Sequence, residues 1–356
     1  QQLPTQQFPI QQPQAAQVPS LHGALPGQLS GTSRYLVSFR SRSYDLSEFA
    51  AARRARKPAS EVDPIVARYR AATQRDQAGF VAEIESMGGR VFHQYWLNNG
   101  CAIEVSPAVA LAVRAMPNVW RVEPDLRTEP HIRQSTSSAN HNSDAVNAVG
   151  LEGAGATLAI MDTGQDEKVG ALTRPHRLYY VNGNPTGTNR LLINRKIGVQ
   201  PADDVHGHGT AVASVAAGGG WTTFAADKGH APRAGIAGYA IANAANGFSS
   251  LTTMTNAWNQ IAADAATYKI VAVNCSYSGH SNPLSASQQA LDACALHADL
   301  LVCVSGGNQG NTTAGSQACA NGLAVAASVR GSHAVASFSS KGPLIGDYNR
   351  YYPDIT

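Results

Sequence analysis

Long hydrophobic runs are missing from this sequence. No apolar stretch reaches the ~18 residues that a membrane-spanning helix needs, and the first residues lack the charged-then-apolar pattern of a secretory signal. Charge is sparse too: Asp, Glu, Lys and Arg make up 14% of the 356 residues, with a net charge of +3 when histidines are neutral. From Arg34 to Ile132 there are 14 basic and 11 acidic residues, and from Arg133 to Thr356 there are 13 of each. The larger part is neutral, so no extended basic face argues for nucleic acid. Cysteine is scarce, and the five present fit no metal-binding spacing. Four of them (Cys275, Cys294, Cys303, Cys319) lie in the neutral part with Cys101 outside it, which is compatible with two disulfides in an oxidising compartment or with buried free thiols.

What is present suffices for two folded units, since 43% of the residues are apolar and a typical domain takes ~150 residues. Residues 1–33 stand apart. Gln and Pro fill 12 of the first 20 positions and nothing charged precedes Arg34, so this stretch reads as a flexible leader that buries too little to order itself.

Residues 34–132 read as a small α+β unit. YLVSF (Tyr35 to Phe39) is strand-like, and Phe80, Ile84 and Met87 repeat at helical spacing before Gly88-Gly89 stops the helix. Two strand-like runs, Arg90 to Trp96 and Cys101 to Val105, flank Asn98-Asn99-Gly100, which is hairpin chemistry. Ser106-Pro107 is an N-cap followed by a first-turn proline; Val109, Ala112, Val113 and Met116 give the helix an apolar stripe, and Val119 to Glu123 is a last strand. The order β-α-β-β-α-β is the ferredoxin-like split βαβ arrangement. Arg53 to Lys57 reads as a solvated surface helix. No nucleophile, base and donor cluster here, so the unit alone reads as a binding or regulatory module.

Residues 133–356 alternate apolar strands with helices: Thr157 to Met161, Ile236 to Ile241, Ile270 to Asn274, Leu300 to Ser305 and Leu323 to Ala327, with Met254, Trp258, Ile261 and Ala265 forming a helical stripe. Continuous apolar strands between amphipathic helices predict an α/β fold with a doubly wound, mainly parallel sheet. In such sheets ligands meet the carboxyl ends of the strands. Asp162 follows one strand in LAIMDTG. His208 opens a small-residue helix in HGHGTAVASVAAGGG, where the helix dipole disfavours its protonated form. Asn308 follows another strand in LLVCVSGGNQG, and its amide is an uncrowded donor. The backbone of Asn274 to Ser278 ends a further strand, where an extended peptide could add by strand pairing. Each residue also has a plainer reading: a turn aspartate, a surface histidine, a Gly-Asn turn. Asp-Thr-Gly is in addition the aspartic-protease turn, and Asp203, Asp204, His206 and His208 could gather round a metal, although no further ligand set of metal-site spacing accompanies them.

Taken together, D-T-G, H-G-T-x-V-A, G-H-A-P (Gly229 to Pro232), N-x-S, G-G-N, F-S-S-K-G-P (Phe338 to Pro343) and P-D-I (Pro353 to Ile355) follow an order that resembles the subtilisin-like serine proteases, the subtilases of peptidase family S8. The resemblance spans nearly all of residues 140–356, and the first unit is similar to the family's inhibitor I9-like propeptide, a chaperone and inhibitor. It implies a secreted endopeptidase zymogen that acts on peptides and proteins and requires no cofactor, with structural calcium frequent among relatives. Asp162 would orient His208, His208 would take a proton from a serine nucleophile, and Asn308 would donate to the oxyanion. Ser276, Tyr277 and Ser278, with Ser305, Gly306 and Gly307, would line the substrate cleft; Tyr277 and Ser278 stand where relatives often carry Leu and Gly. Propeptide release would fall near Thr128 to Ser138. The family's G-T-S-x-A-x-P nucleophile block would follow Pro353-Asp354-Ile355, and the sequence stops at Thr356, so the 356 residues by themselves are expected to be inactive. The competing reading is a non-catalytic homologue that binds peptides or proteases.

Overall fold

The computed structural model describes residues 31–128, 143–169, 173–220, 228–310, 317–329, 334–342 and 352–355. The leader reading of residues 1–33 falls almost wholly outside these. The first unit runs β1 (Ser33–Phe39), α1 (Ser47–Arg54), α2 (Ala59–Ser86), β2 (Arg90–Tyr95), β3 (Gly100–Val105), α3 (Pro107–Arg114) and β4 (Val119–Pro124). Its four strands pair antiparallel in the order β2-β3-β1-β4, the split βαβ topology. Ser106 caps α3 by accepting from Val109 N, as its position before Pro107 dictates. Successive strand residues face opposite ways, yet Leu36 and Val37 are both fully buried. Val37, Phe39, Ile103 and Val122 pack beneath Ile84 of α2 and Val113 of α3. Leu36, Tyr95 and Ala102 face the other way, into a core shared with the second unit.

The second unit contains a six-stranded sheet of β6 (Thr157–Asp162), β7 (Leu191–Lys196), β8 (Gly235–Ala240), β10 (Ile270–Cys275), β11 (Leu301–Ser305) and β12 (Leu323–Val325), in the order β12-β11-β10-β6-β8-β7 with every pair parallel. Its helices are α4 (Ser143–Ala148), α5 (His208–Ala217), α6 (Leu251–Asp264) and α7 (Ala286–Ala298). Ile160 and Ile236 meet Val212 and Ala213 of α5 on one face, while Ala159, Met161, Ala237 and Tyr239 meet α6 and α7 on the other. The sheet is therefore wound on both sides. From β6 the chain moves out to β7, returns to β8, then crosses to β10, so the order reverses between β6 and β10. That reversal is where an open α/β sheet places its ligands.

One expectation is corrected, and for the cysteines one of the two open readings holds. Arg53 does not lie on a solvated surface helix: α1 packs on α7, and Arg53 is 8% exposed with its Nε donating to Ala298 O at 3.0 Å. The arginine run misled because only Arg54, Arg56 and Lys57 face water. All five cysteines are free thiols and four are buried. Burial pushes the Cys275 and Cys294 thiols up to about 12, which keeps them protonated and inert.

The contact between the units is governed by helix ends. Twelve of the fourteen residues of α6 are buried, more than one sheet-facing stripe can account for, because the first unit covers its outer side. Glu123 Oε1 accepts from Ala286 N at the start of α7, and Asp125 Oδ1 accepts from Thr252 N at the start of α6, at 2.7 Å. Each carboxylate thus meets the positive end of a helix dipole, and Arg53 meets the negative end of α7. Asn259 Oδ1 accepts from Leu97 N at 3.0 Å, and Tyr95 donates to Thr252 O at 3.3 Å. Beyond Asp125, β5 (Arg127–Thr128) pairs antiparallel with β9 (Ser249–Ser250). Residues 129–142, which hold nearly all of the expected release window Thr128 to Ser138, lie outside the described residues.

Two expectations follow for stability. Arg53→Met keeps the apolar stem but withdraws the charge-assisted donor from Ala298 O; it should cost about 1–3 kcal/mol, read as a lower urea midpoint at unchanged slope. His280, in the segment before α7, accepts from Asn282 N at 3.0 Å through Nδ1, which must then be unprotonated. Burial, aided by the Arg121 charge on β4, lowers its pKa to about 4. An unfolded histidine titrates near ~6.5, so between these values the unfolded chain holds more protons. The His280 contribution is then fully present above pH ~6.5 and is lost toward pH 4, by up to about 3 kcal/mol. Glu123 and Asp125, raised by burial, act with the opposite sign. Urea titrations of wild type and His280→Asn at a series of pH values should isolate the histidine, the variant losing this part of the slope.

Candidate active site

Asp162 is the last residue of β6 and His208 the first of α5. They meet because two backbones approach closely. Gly164 has φ +126°, a conformation L side chains rarely adopt, and its carbonyl oxygen lies where a Cβ on Gly209 would have to sit; that Cβ would also be 3.1 Å from Asp162 Cβ. Only glycine lets the first turn of α5 rest on the turn that leaves β6. Across this contact His208 Nδ1 donates to Asp162 Oδ1 at 2.6 Å. Asp162 is fully buried and accepts a second bond, from Thr163 N at 2.7 Å. Burial pushes its carboxyl up, opposed by the hydrogen bond and charge of His208. With the proton on Nδ1, Nε2 carries the lone pair, and it is buried without a hydrogen-bond partner among the described residues. An oriented imidazole with a free, basic Nε2 is the general-base half of a nucleophile-activating constellation.

The neighbouring strands supply the remaining candidates. Ser276 follows β10, and its Oγ accepts from Asn274 Nδ2 at 2.8 Å. Tyr277 is fully buried, with its ring edge-on to His208 at 6.4 Å and its hydroxyl donating to Gly247 O at 2.7 Å. Ser278 is buried. Ser305 ends β11 and accepts from Gly307 N at 3.1 Å, Gly306 N donates to Val325 O at 2.8 Å, and Gly307 O accepts from Ser340 N at 2.9 Å. Asn308 is half-buried on that loop, which is clamped by Gln309 N to Ser340 Oγ at 3.1 Å and Gly310 N to Phe338 O at 2.9 Å. Asp162, Ser276–Ser278 and Asn308 thus leave the carboxyl ends of three adjacent parallel strands, β6, β10 and β11. The structure joins Asp162, His208 and Tyr277 directly and places Asn308 on the same edge two strands from Asp162.

The geometry does not fit the aspartic-protease reading, and the aspartates of the metal reading are engaged elsewhere. Asp203 Oδ1 accepts from Glu167 N and Lys168 N, while Asp204 accepts from His206 N and Thr210 N at the start of α5, so both carboxylates are taken up by backbone amides. Among the described residues no group of three or more His, Cys, Asp or Glu could hold a metal ion. Asp162 is paired with an imidazole, not with a second carboxyl. No helix of the described residues is long and apolar enough to cross a membrane.

The family model described as the subtilase family, peptidase S8, matches residues 153–356. The chain belongs to the subtilase family. The fold of this subtilase is similar to two crystal structures of the epidermin leader peptide processing serine protease from Staphylococcus aureus. They match at TM-scores of 0.57 and 0.55, each with 14% identity and 88% of this chain covered, over 74% and 73% of those chains respectively. For this subtilase the sequence motifs missed Gly247 and Ser249–Ser250, where a strand does pair with the second unit; the cue was a short polar stretch before the α6 stripe, easily taken for a loop. They contain Thr163 and Thr210 without giving either a role, and they missed Gln165. Gln165 Nε2 donates to Gly209 O at 3.3 Å while its Oε1 accepts from Tyr179 at 2.8 Å.

Gly209→Ala should drive a methyl group into the Gly164 carbonyl and Asp162. A cost of about 1–3 kcal/mol is expected for such overpacking, seen as a lower Tm in thermal denaturation, and an unchanged Tm would contradict the close approach.

Proposed function

We propose that this subtilase is a serine endopeptidase made as a zymogen, with residues 34–132 as the inhibitory propeptide. The observation that carries the reading is the 2.6 Å bond between Asp162 and His208 with Nε2 left free. In the mechanism, His208 Nε2 takes the proton of a serine hydroxyl as it attacks a peptide carbonyl, and Asp162 holds the imidazole and stabilises its charged form. Asn308 donates to the oxyanion that develops. His208 then gives the proton to the leaving amine.

The nucleophile in this reading sits on a G-T-S-x-A-x-P block supplied from beyond Thr356. One feature of the sheet supports a further element there. A parallel sheet is normally covered on both faces, yet opposite α6 and α7 the β11 strand exposes Leu301 to 57%. A helix opening at the nucleophile would cover that face. The propeptide role is supported by the first unit's hold on α6 and α7 and by β5, which lies along Ser249–Ser250 as an extended peptide would. Ser276–Ser278 and Ser305–Gly307 line the two sides of the substrate cleft in this proposal. The Gln/Pro-rich leader suits a secreted precursor. The reaction in this proposal requires no cofactor, and a structural calcium ion, frequent in the family it resembles, would take six to eight oxygen ligands.

The full-length protein should be labelled by a fluorophosphonate on a serine downstream of Thr356 and should hydrolyse peptides. His208→Ala should lower kcat by about 10⁴-fold or more. A full-length protein that is folded but neither labels nor cleaves would favour the peptide-binding homologue.

A further inference from the structure

The carboxylate of Asp204 has a role that the Asp-His pair does not explain. It collects five donors from both sides of the Asp162–His208 junction. Oδ1 accepts from Thr163 Oγ1 at 2.8 Å, His206 N at 3.1 Å and Gly207 N at 2.9 Å. Oδ2 accepts from Thr210 N at 2.9 Å and Thr210 Oγ1 at 2.8 Å. Thr163 immediately follows Asp162, and its Oγ1 in turn accepts from Gly209 N at 2.8 Å. Thr210 Oγ1 accepts from Asp166 N at 3.0 Å. The residue after Asp162 and the residues on both sides of His208 are therefore tied into one ring that closes through Asp204.

An ordinary helix cap would satisfy only the first amides of α5. The bond from Thr163 is different, because it reaches across to the strand turn that carries the other member of the pair. Thr163 is 1% exposed, so no water competes for its hydroxyl. A hydroxyl that donates to Asp204 and accepts from Gly209 N fixes how far the first turn of α5 stands from the end of β6. That separation sets the Asp162–His208 distance.

We propose that Asp204 is a positioning residue, which through Thr163 and the first turn of α5 holds the His208 imidazole in line with Asp162. The proposal rests on the serine-protease reading of the site and adds the group that presets its base. Asp204 touches no reacting atom. Its effect is geometric, and a displacement of about 1 Å at a reacting group is enough to cost roughly a hundredfold in rate.

The test separates positioning from capping. In the 356-residue chain labelled with [15N]histidine, the Nδ1 proton of His208 should give a low-field resonance that Asp162→Asn removes. Asp204→Ala should broaden that signal or speed its exchange with water at least tenfold. Thr163→Val, which leaves the carboxylate's bonds to Gly207 and Thr210 in place, should do the same, and Thr163→Ser should restore the signal. In the full-length protein, Asp204→Ala and Thr163→Val should each lower kcat about a hundredfold with KM changed less than about threefold. Together they should lower it little more than either alone. Should Asp204→Ala fail to fold, Thr163→Val and the isosteric Asp204→Asn carry the test. Folded variants with a lowered Tm but an unchanged Nδ1 signal and kcat would overturn the proposal and leave Asp204 a cap. A wild-type full-length protein without activity, in which the variants still disturb the resonance, would overturn the protease reading and leave the positioning intact.

Discussion

The site depends on a contact that has no side chains in it. Gly209 lies against the carbonyl of Gly164, and this close approach of a helix start to a strand end lets a short carboxylate reach a histidine ring. A buried carboxylate loses its hydration, and without partners the desolvation cost would force it to neutralise. Here Thr163 N and His208 Nδ1 both donate to Asp162 Oδ1, and the neighbouring Thr163 hydroxyl is occupied by Asp204 and Gly209. The chemistry of the pair and the local packing are therefore one problem: a methyl group at Gly209 would separate the groups that have to touch.

The second constraint is that the two units share one of their cores. Leu36, Phe49, Tyr69 and Trp96 of the first unit belong to the same cluster as Met254, Trp258, Leu291 and Val302 of the second. The long α2 divides its work between them. Ile84, near its end, covers the small sheet, whereas Val62, Ile65, Val66 and Tyr69, at i, i+3, i+4 and i+7, turn toward the shared core. Removing the first unit would expose this surface, so the inter-unit contact contributes to the stability of α6 and α7 as well as covering them.

Much of this was legible in the sequence. The split βαβ order, five of the six parallel strands and the α6 stripe follow from period and punctuation, and the motif order led to the family. What was hidden had physical causes. β7 reads LLINRK, an edge strand whose second half is polar because Asn194 and Arg195 bond to loops and to Asp264. The first half of α2 carries Pro64, which masks a clear apolar stripe. Arg53 looked solvated because its acceptor, Ala298 O, lies 245 residues away. The positions of Asp162 and His208 could be inferred from strand ends and helix starts. The part played by Asp204 could not: an aspartate four residues before a histidine has many uses, and only the turn of the chain brings Thr163 to it.

The spacing of Glu123 and Asp125 has a consequence of its own. Two residues apart on an extended chain, their Cα atoms stand about 6.8 Å from each other, and each carboxylate holds the first amides of a different helix. Neighbouring helices pack with axes 8–10 Å apart. The end of β4 and the residue after it thus work as a gauge, setting how far α6 can slide along α7, and any segment that replaced them would have to carry its two negative groups at the same pitch.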